Sequence, residues 1–166
     1  FFNITTPKFA AQAIKKAAGI GWKPVHYLNS VSNAVGSVLT PAGLENSVGI
    51  ISAFYIKDPT DPQFQQGKEY EDWLAWMKKY HPNGDLNDNF NVYGYTVAQT
   101  MVKVLEQAGD ELTRANVMKQ AASLDMTLPM LLPGVTVKTG PDDFFPIARE
   151  QLGQFNGKTW ELFGKV

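Results

Sequence analysis

Two histidines, a pair of aspartates and one polar loop are where this sequence could hold a proton, a metal or a nucleophile. His26 stands in the apolar stretch "PVHYLN", and His81 precedes a proline. A metal site needs several ligands at repeated spacing, and an activated nucleophile needs a base in a recognisable loop context. Neither histidine has such company, so one reads as a strand residue and the other as a surface turn. The chain has no cysteine, which removes thiolate nucleophiles, disulfides and Cys-type zinc sites together. Asp58 and Asp61 in "DPTD" are a carboxylate pair, but Pro59 and Pro62 mark a turn and capping role. "NGDLNDNF" offers oxygen ligands at alternate positions, as a calcium loop does. It lacks the glycine at the sixth position, and Gly94 stands where the bidentate glutamate belongs. It reads instead as a polar turn capping the next helix. No glycine-rich phosphate loop follows any strand-like segment. The expectation is a protein that is not an enzyme and holds neither metal nor cofactor.

Binding chemistry is better represented. Asn3–Thr6 and Asn29–Asn33 both follow strand-like segments and precede helical signals. If the two strands are parallel neighbours, these loops lie side by side at the carboxyl edge of the sheet. There they offer hydroxyls, amides and free helix N-terminal N–H groups to a carboxylate or another small polar solute. Ordinary helix capping by Thr6 and Asn33 accounts for the same residues equally well. "NVYGYTVAQ" adds Tyr93 and Tyr95 near a helix start, where an aromatic side chain serves either core or cleft.

The elements that must position these groups follow from periodicity. Residues 7–18 read as a helix with Thr6 as N-cap and Pro7 at its first position, closed by Gly19 and Gly21. Phe1-Phe2 reads as the end of a strand, Pro24–Asn29 as a second strand and Gly49–Ile56 as a third. "KDPTDPQF" ends that strand and opens a helix near Pro62. Helices then continue to about Leu124, with one apolar stripe on Trp73, Leu74, Met77 and Tyr80 and another on Val92, Tyr95, Ala98, Val102 and Leu105. Gly109 ends the second, and Thr113 caps a third. The end of the chain returns to strands, with Asn156-Gly157 as a hairpin signal.

The 166 residues are 44% hydrophobic and 19% charged, with 15 basic and 16 acidic side chains. This is a globular composition, and the absence of a basic stripe argues against a nucleic-acid partner. No apolar run approaches the roughly 20 residues that span a bilayer.

Four segments together resemble one family: "FFNITTPKFAAQAIKKAAGIGWKP", "GIISAFYIKDPTDPQF", "NVYGYTVAQTMVKVLEQAGDELTRANVMKQAASL" and "LLPGVTVKTGPDDFFPIAREQLGQFNGKTWELF". The ordered set is similar to the solute-binding proteins of ABC importers, of the branched-chain amino-acid-binding type. The resemblance implies the two-lobed α/β fold of type I periplasmic binding proteins, the Venus-flytrap arrangement, with this chain an incomplete C-terminal portion. It implies that residues 1–56 belong to the second lobe, 57–147 to the first and 148–166 to the second again. Hinges then fall at Ile56–Asp58 and Pro146–Arg149. The implied partners are a small-molecule solute, the missing N-terminal segment of the same protein and a membrane permease; the implied location is the bacterial periplasm.

In this family the cleft loops match Asn3–Thr6 and Asn29–Asn33. The ligand-binding residues expected here are Thr5, Thr6, Asn29, Ser30, Val31, Ser32 and Asn33, with Tyr93. Family members often carry a carboxylate in the second loop, where it meets the ligand's amino end, whereas "NSVSNAV" has no acid. A buried ammonium needs a counter-charge or several acceptors. The expected solute is therefore a small organic acid, aromatic carboxylates included. An amino acid is the alternative, and a ligand-sensing domain of a signalling receptor is the other role open to the same fold.

Overall fold

Three short parallel strands come from the first third of the chain, and two antiparallel strands from its end complete the sheet beside them. In the computed structural model, which describes residues 1–166, β1 (Phe2–Asn3) pairs with β2 (Tyr27–Leu28), and β2 pairs with β3 (Ile51–Phe54). β6 (Gln151–Phe155) lies antiparallel to β3, and β7 (Trp160–Phe163) closes the hairpin, giving the order β1-β2-β3-β6-β7. The hairpin signal sits in a four-residue loop. Asn156 Oδ1 accepts from the N–H groups of Lys158 and Thr159, both at 2.9 Å, and Gly157 takes φ 101°.

α1 (Pro7–Gly19) makes the crossover from β1 to β2. Thr6 is its extended N-cap and Pro7 opens it, at a position where a missing N–H costs nothing; the Thr6 hydroxyl makes no capping bond. Ala10, Ile14 and Ala17 bury the inner face. After β2 come a 3-10 turn at Ser30–Ser32, a π turn at Val35–Leu39 and a single α turn, α2 (Thr40–Ala42). Of the Pro24–Asn29 segment, Tyr27 and Leu28 form the strand, and its flanks add the bonds from Asn29 N to Asn3 O and from Ile51 N to His26 O.

The middle of the chain is helical: α3 (Lys68–Tyr80), α4 (Asn89–Ala108) and α5 (Arg114–Ala121). Asp88 caps α4 by accepting from Phe90 N at 3.0 Å, Gly109 ends it at φ 59°, and Thr113 Oγ1 accepts from Asn116 N to cap α5. A small antiparallel pair follows, β4 (Asp125–Met126) with β5 (Val137–Lys138).

Two expectations are corrected here. No helix opens near Pro62; α3 begins at Lys68, and Asp61 N, Phe64 N and Gln65 N instead close successive turns. The reason is chemical, because Asp58 and Asp61 each accept from an N–H two residues ahead and so hold the chain in turns. The buried stripe of α4 also differs. Val92 is buried, but its companions are Thr96, Val104 and Ala108, while Val102 and Leu105 face outward. α4 is apolar nearly all round, so periodicity alone picks out more than one face.

Trp73, Met77 and Val92 from the helices share one continuous core with Ile14, Leu39 and Phe155. The sheet is covered on one side only. Asn3, Leu28, Ser52 and Phe54 point to the buried side, whereas Phe2, Tyr27 and Leu152 line a shallow apolar depression on the other. Phe2 is 76% exposed there and stacks on Tyr27 with ring centroids 5.0 Å apart. Parallel sheets normally have both faces covered. Produced as these 166 residues alone, the chain is expected to bind the hydrophobic dye ANS and to self-associate; a dye-silent monomer in light scattering would contradict this.

His26 is buried beside the Phe1 ring, 4.5 Å between centroids, and its Nε2 has no hydrogen-bond partner. Burial, above all, lowers its pKa from 6.5 to about 4. The folded state therefore holds the ring neutral, and the unfolded chain takes up a proton first. The resulting stability is complete above pH 6.5 and is lost as pH falls through 4, on the order of 3 kcal/mol at most. His26→Gln is expected to flatten the unfolding-temperature profile across that window, and an unchanged slope would refute the assignment.

Candidate functional site

The carboxyl ends of the parallel strands open onto a cleft of about 240 Å³. Three segments wall it. Ser30, Val31 and Asn33 come from the turn after β2, Ala53–Ile56 and Asp58 from the end of β3 and just beyond, and Asn89, Phe90 and Tyr93 from the first turns of α4. The volume suits a small solute, and the lining is mostly apolar and aromatic, as in ligand pockets generally.

Hydrogen bonds fix these segments relative to one another. Asn33, nearly fully buried, donates through Nδ2 to Ser52 Oγ and to Ala53 O, both at 3.1 Å. Its Oδ1 faces Asn89 Nδ2 at 3.4 Å, and its backbone carbonyl accepts from Trp160 Nε1 at 3.1 Å. Ser32 Oγ donates to Thr5 O at 2.6 Å, and Thr5 Oγ1 donates to Asn3 Oδ1 at 2.6 Å. The two loops singled out in the sequence thus lie side by side, tied by a hydroxyl. A Cβ at Gly36 would stand 3.1 Å from Asn87 O, so a larger residue there would push the turn before α4 back by a few tenths of an ångström.

Of the eight expected ligand-binding residues, Ser30, Val31, Asn33 and Tyr93 meet in the cleft wall. Thr5 and Thr6 are exposed nearby, Ser32 is fully buried with its hydroxyl spent on Thr5, and Asn29 borders the apolar depression on the bare sheet face. Seven wall residues were not among those expected from the sequence: Ala53, Phe54, Tyr55, Ile56, Asp58, Asn89 and Phe90. Phe90 had a readable signal, since it lies three residues before Tyr93 and so shares its helix face.

Asp58 forms its expected turn, with Oδ1 accepting from Thr60 N at 2.8 Å and Thr60 Oγ1 at 2.6 Å. Burial raises its carboxyl pKa, against the lowering effect of the Thr60 bonds. Burial likewise raises that of the Tyr55 phenol, with Tyr93 and Glu150 adding to the shift. Beside the cleft, Lys57 is held by Glu69 Oε1 at 2.9 Å and by Pro129 O at 2.8 Å. Beyond Tyr55 and Tyr93 lies a larger, open apolar groove of about 630 Å³ between α4, α5 and Phe144–Ile147. It has few polar groups to orient a solute, so the smaller cleft is the better candidate.

Residues 1–158 match the family profile described as periplasmic binding protein. This chain belongs to that family. Its fold is the α/β fold of the type I periplasmic binding proteins, of which it makes up an incomplete portion. Among solved structures, this family member is similar to a branched-chain amino acid ABC transporter protein from Thermus thermophilus with bound valine, at TM-score 0.80 and 13% identity over 99% of this chain and 44% of that one. It is similar also to an ABC transporter substrate-binding protein from Aeropyrum pernix, at TM-score 0.77 and 12% identity over 98% and 43%. A possible leucine/isoleucine/valine-binding protein from Rhodopirellula baltica SH 1 follows at TM-score 0.73, 13% identity, 98% and 42%. At such identities the likeness is one of fold, and the chain spans less than half the length of these structures. No functionally curated protein gives a significant match. No helix of this periplasmic-binding-protein chain is long and apolar enough to cross a membrane.

The Trp160–Asn33 bond fastens the last hairpin to the cleft wall. Trp160→Phe keeps the ring packing against Phe54 and Phe155 but leaves the Asn33 carbonyl unpaired. A loss of about 1–2 kcal/mol in denaturant unfolding is expected; a loss below measurement error would show that the bond does not hold the wall.

Proposed function

We propose that this chain is part of an extracytoplasmic receptor of an ABC importer, which captures a small solute in the cleft and presents it to a membrane permease. One observation carries the reading: the cleft is walled by the ends of parallel strands and by the start of α4, which lie on either side of the Ile56–Asp58 connection. We take residues 1–56 and 148–166, which share the five-stranded sheet, as part of one lobe. Residues 57–147 are part of the other, and Ile56–Asp58 and Pro146–Arg149 are the hinges. A solute touching Ser30 and Val31 on one side and Phe90 and Tyr93 on the other contacts both lobes, so its differential contacts favour the closed form. The N-terminal segment completes both lobes and covers the bare sheet face. The role is capture and delivery without chemical conversion, in the bacterial periplasm. The acid-free loop after β2 favours a small organic acid such as an aromatic carboxylate, and an amino acid is the alternative.

The test is isothermal calorimetry on the full-length receptor with amine-free aromatic and aliphatic acids beside the common amino acids. One class is expected to give saturable heat, and Phe90→Ala or Tyr93→Ala is expected to weaken it about tenfold or more. Binding that ignores both substitutions would remove the cleft from the mechanism.

A further inference from the structure

Asp58 is the only Asp, Glu, Lys, Arg or His among the residues that line the cleft. It is 5% exposed, and its two carboxyl oxygens differ. Oδ1 accepts from Thr60 N and Thr60 Oγ1, whereas Oδ2 is buried without a hydrogen-bond partner. Ionised, such a group needs a cation or donors on both oxygens. The surroundings supply no cation. Lys57, next to it in the chain, is committed to Glu69 Oε1 of α3 and to the Pro129 carbonyl. Asp61, on the same turn, adds a like charge. Tyr55, just past β3, and Tyr93 of α4 bring phenol groups, and Glu150, in the groove beyond them, is another acid. Burial raises the Asp58 carboxyl pKa, the Thr60 bonds oppose the rise and Asp61 adds to it.

A protonated Oδ2 is a donor with no acceptor, and the solute is the group that can supply one. The carboxylate of a small organic acid fits. Two carboxyl groups brought together out of water do not both stay ionised; they share one proton and one negative charge. The hydrogen bond so formed is short and charge-assisted. The rest of the lining, with Phe54, Tyr55, Phe90 and Tyr93, is mostly apolar and aromatic, and it favours the arrangement that carries the least charge.

We infer that Asp58 captures the acid solute by sharing a proton with it, through one O–H···O bond between Asp58 Oδ2 and the solute carboxylate, so that binding is coupled to proton uptake. The inference rests on the proposed reading of the cleft as the site of an organic acid, and it adds how the acid is held and how pH controls its capture. When Asp58 and the solute are both ionised beforehand, one proton enters from water, stays between the two oxygens while the solute is bound and returns to water on release. Oδ2 is covered in this arrangement. Asp58 ends the Ile56–Asp58 hinge, so the lobe movement that encloses the solute is what brings the two carboxyl groups together.

The test is calorimetry on the full-length receptor with benzoate, 3-phenylpropanoate and 3-methylbutanoate, run in buffers of different ionisation enthalpy so that protons are counted directly. Uptake of about one proton per acid bound is expected near neutral pH, and affinity is expected to fall by about tenfold per unit at the steepest as pH rises from about 6 to 8. Asp58→Asn keeps an oxygen for Thr60 and offers an amide donor in place of the proton. It is expected to abolish proton uptake and flatten the profile, so that near pH 8 it binds these acids about tenfold more tightly than the native receptor does. A merely structural role for Asp58 would not produce that gain. Proton release on binding, a flat profile in the native receptor, no saturable heat from any of the three acids, or a profile that survives Asp58→Asn overturns the inference. The native proton count decides the matter even where the variant fails to fold. Phe90→Ala separates the two levels. If it weakens acid binding in a receptor that takes up no proton, the shared proton fails and the cleft stands; if it leaves acid binding untouched, the cleft itself fails.

Discussion

The arrangement depends on one buried amide. Asn33 reaches β3 through Ser52 and Ala53, α4 through Asn89, and the final hairpin through Trp160. These partners come from three separate stretches of sequence, two reached by the side chain and one by the main-chain carbonyl. Asparagine is suited to the task because its side chain has two donors and one acceptor oxygen in a fixed plane, and its main-chain carbonyl adds another acceptor. An aliphatic residue of similar size would fill the space and take the side-chain partner from three polar groups, Ser52 Oγ, Ala53 O and Asn89 Nδ2, where each buried group left unpaired costs of order 1–3 kcal/mol. The clamp also explains why the neighbouring positions differ in character. Ser32 is locked into a loop-to-loop bond, while Ser30 and Val31 of the same turn remain open to the cleft.

Much of this was legible in the sequence, for identifiable reasons. Pro7, Gly109 and Thr113 place helix ends because each obeys a local rule that tertiary context rarely overrides. The two polar loops could be paired because strand-loop-helix units repeat and parallel neighbours put their carboxyl ends together. What could not be read was long-range. The sequence does not say which of several apolar stripes on α4 is buried, because that depends on what the helix packs against. Nor does it say that Asp58 keeps one buried oxygen without a partner. Its "DPTD" context predicts the Asx turn correctly, and a turn consumes only one oxygen. The other is buried in the wall that Asp58 shares with the first turns of α4, some thirty residues further along the chain.

The order of strands has a consequence for how the chain is made. β6 sits directly beside β3 with β7 beyond it, yet almost the whole helical region separates them from β3 in sequence, and the Trp160–Asn33 bond spans 127 positions. Synthesis proceeds at roughly 5–20 residues per second, so β3 and its clamp leave the ribosome several seconds before the hairpin that completes them. During that interval Asn33 lacks its Trp160 partner and the edge of β3 is open to any passing strand. Closure of the sheet is then a late, non-local event of the kind that slows folding. The sheet stays open at β3 until this hairpin emerges.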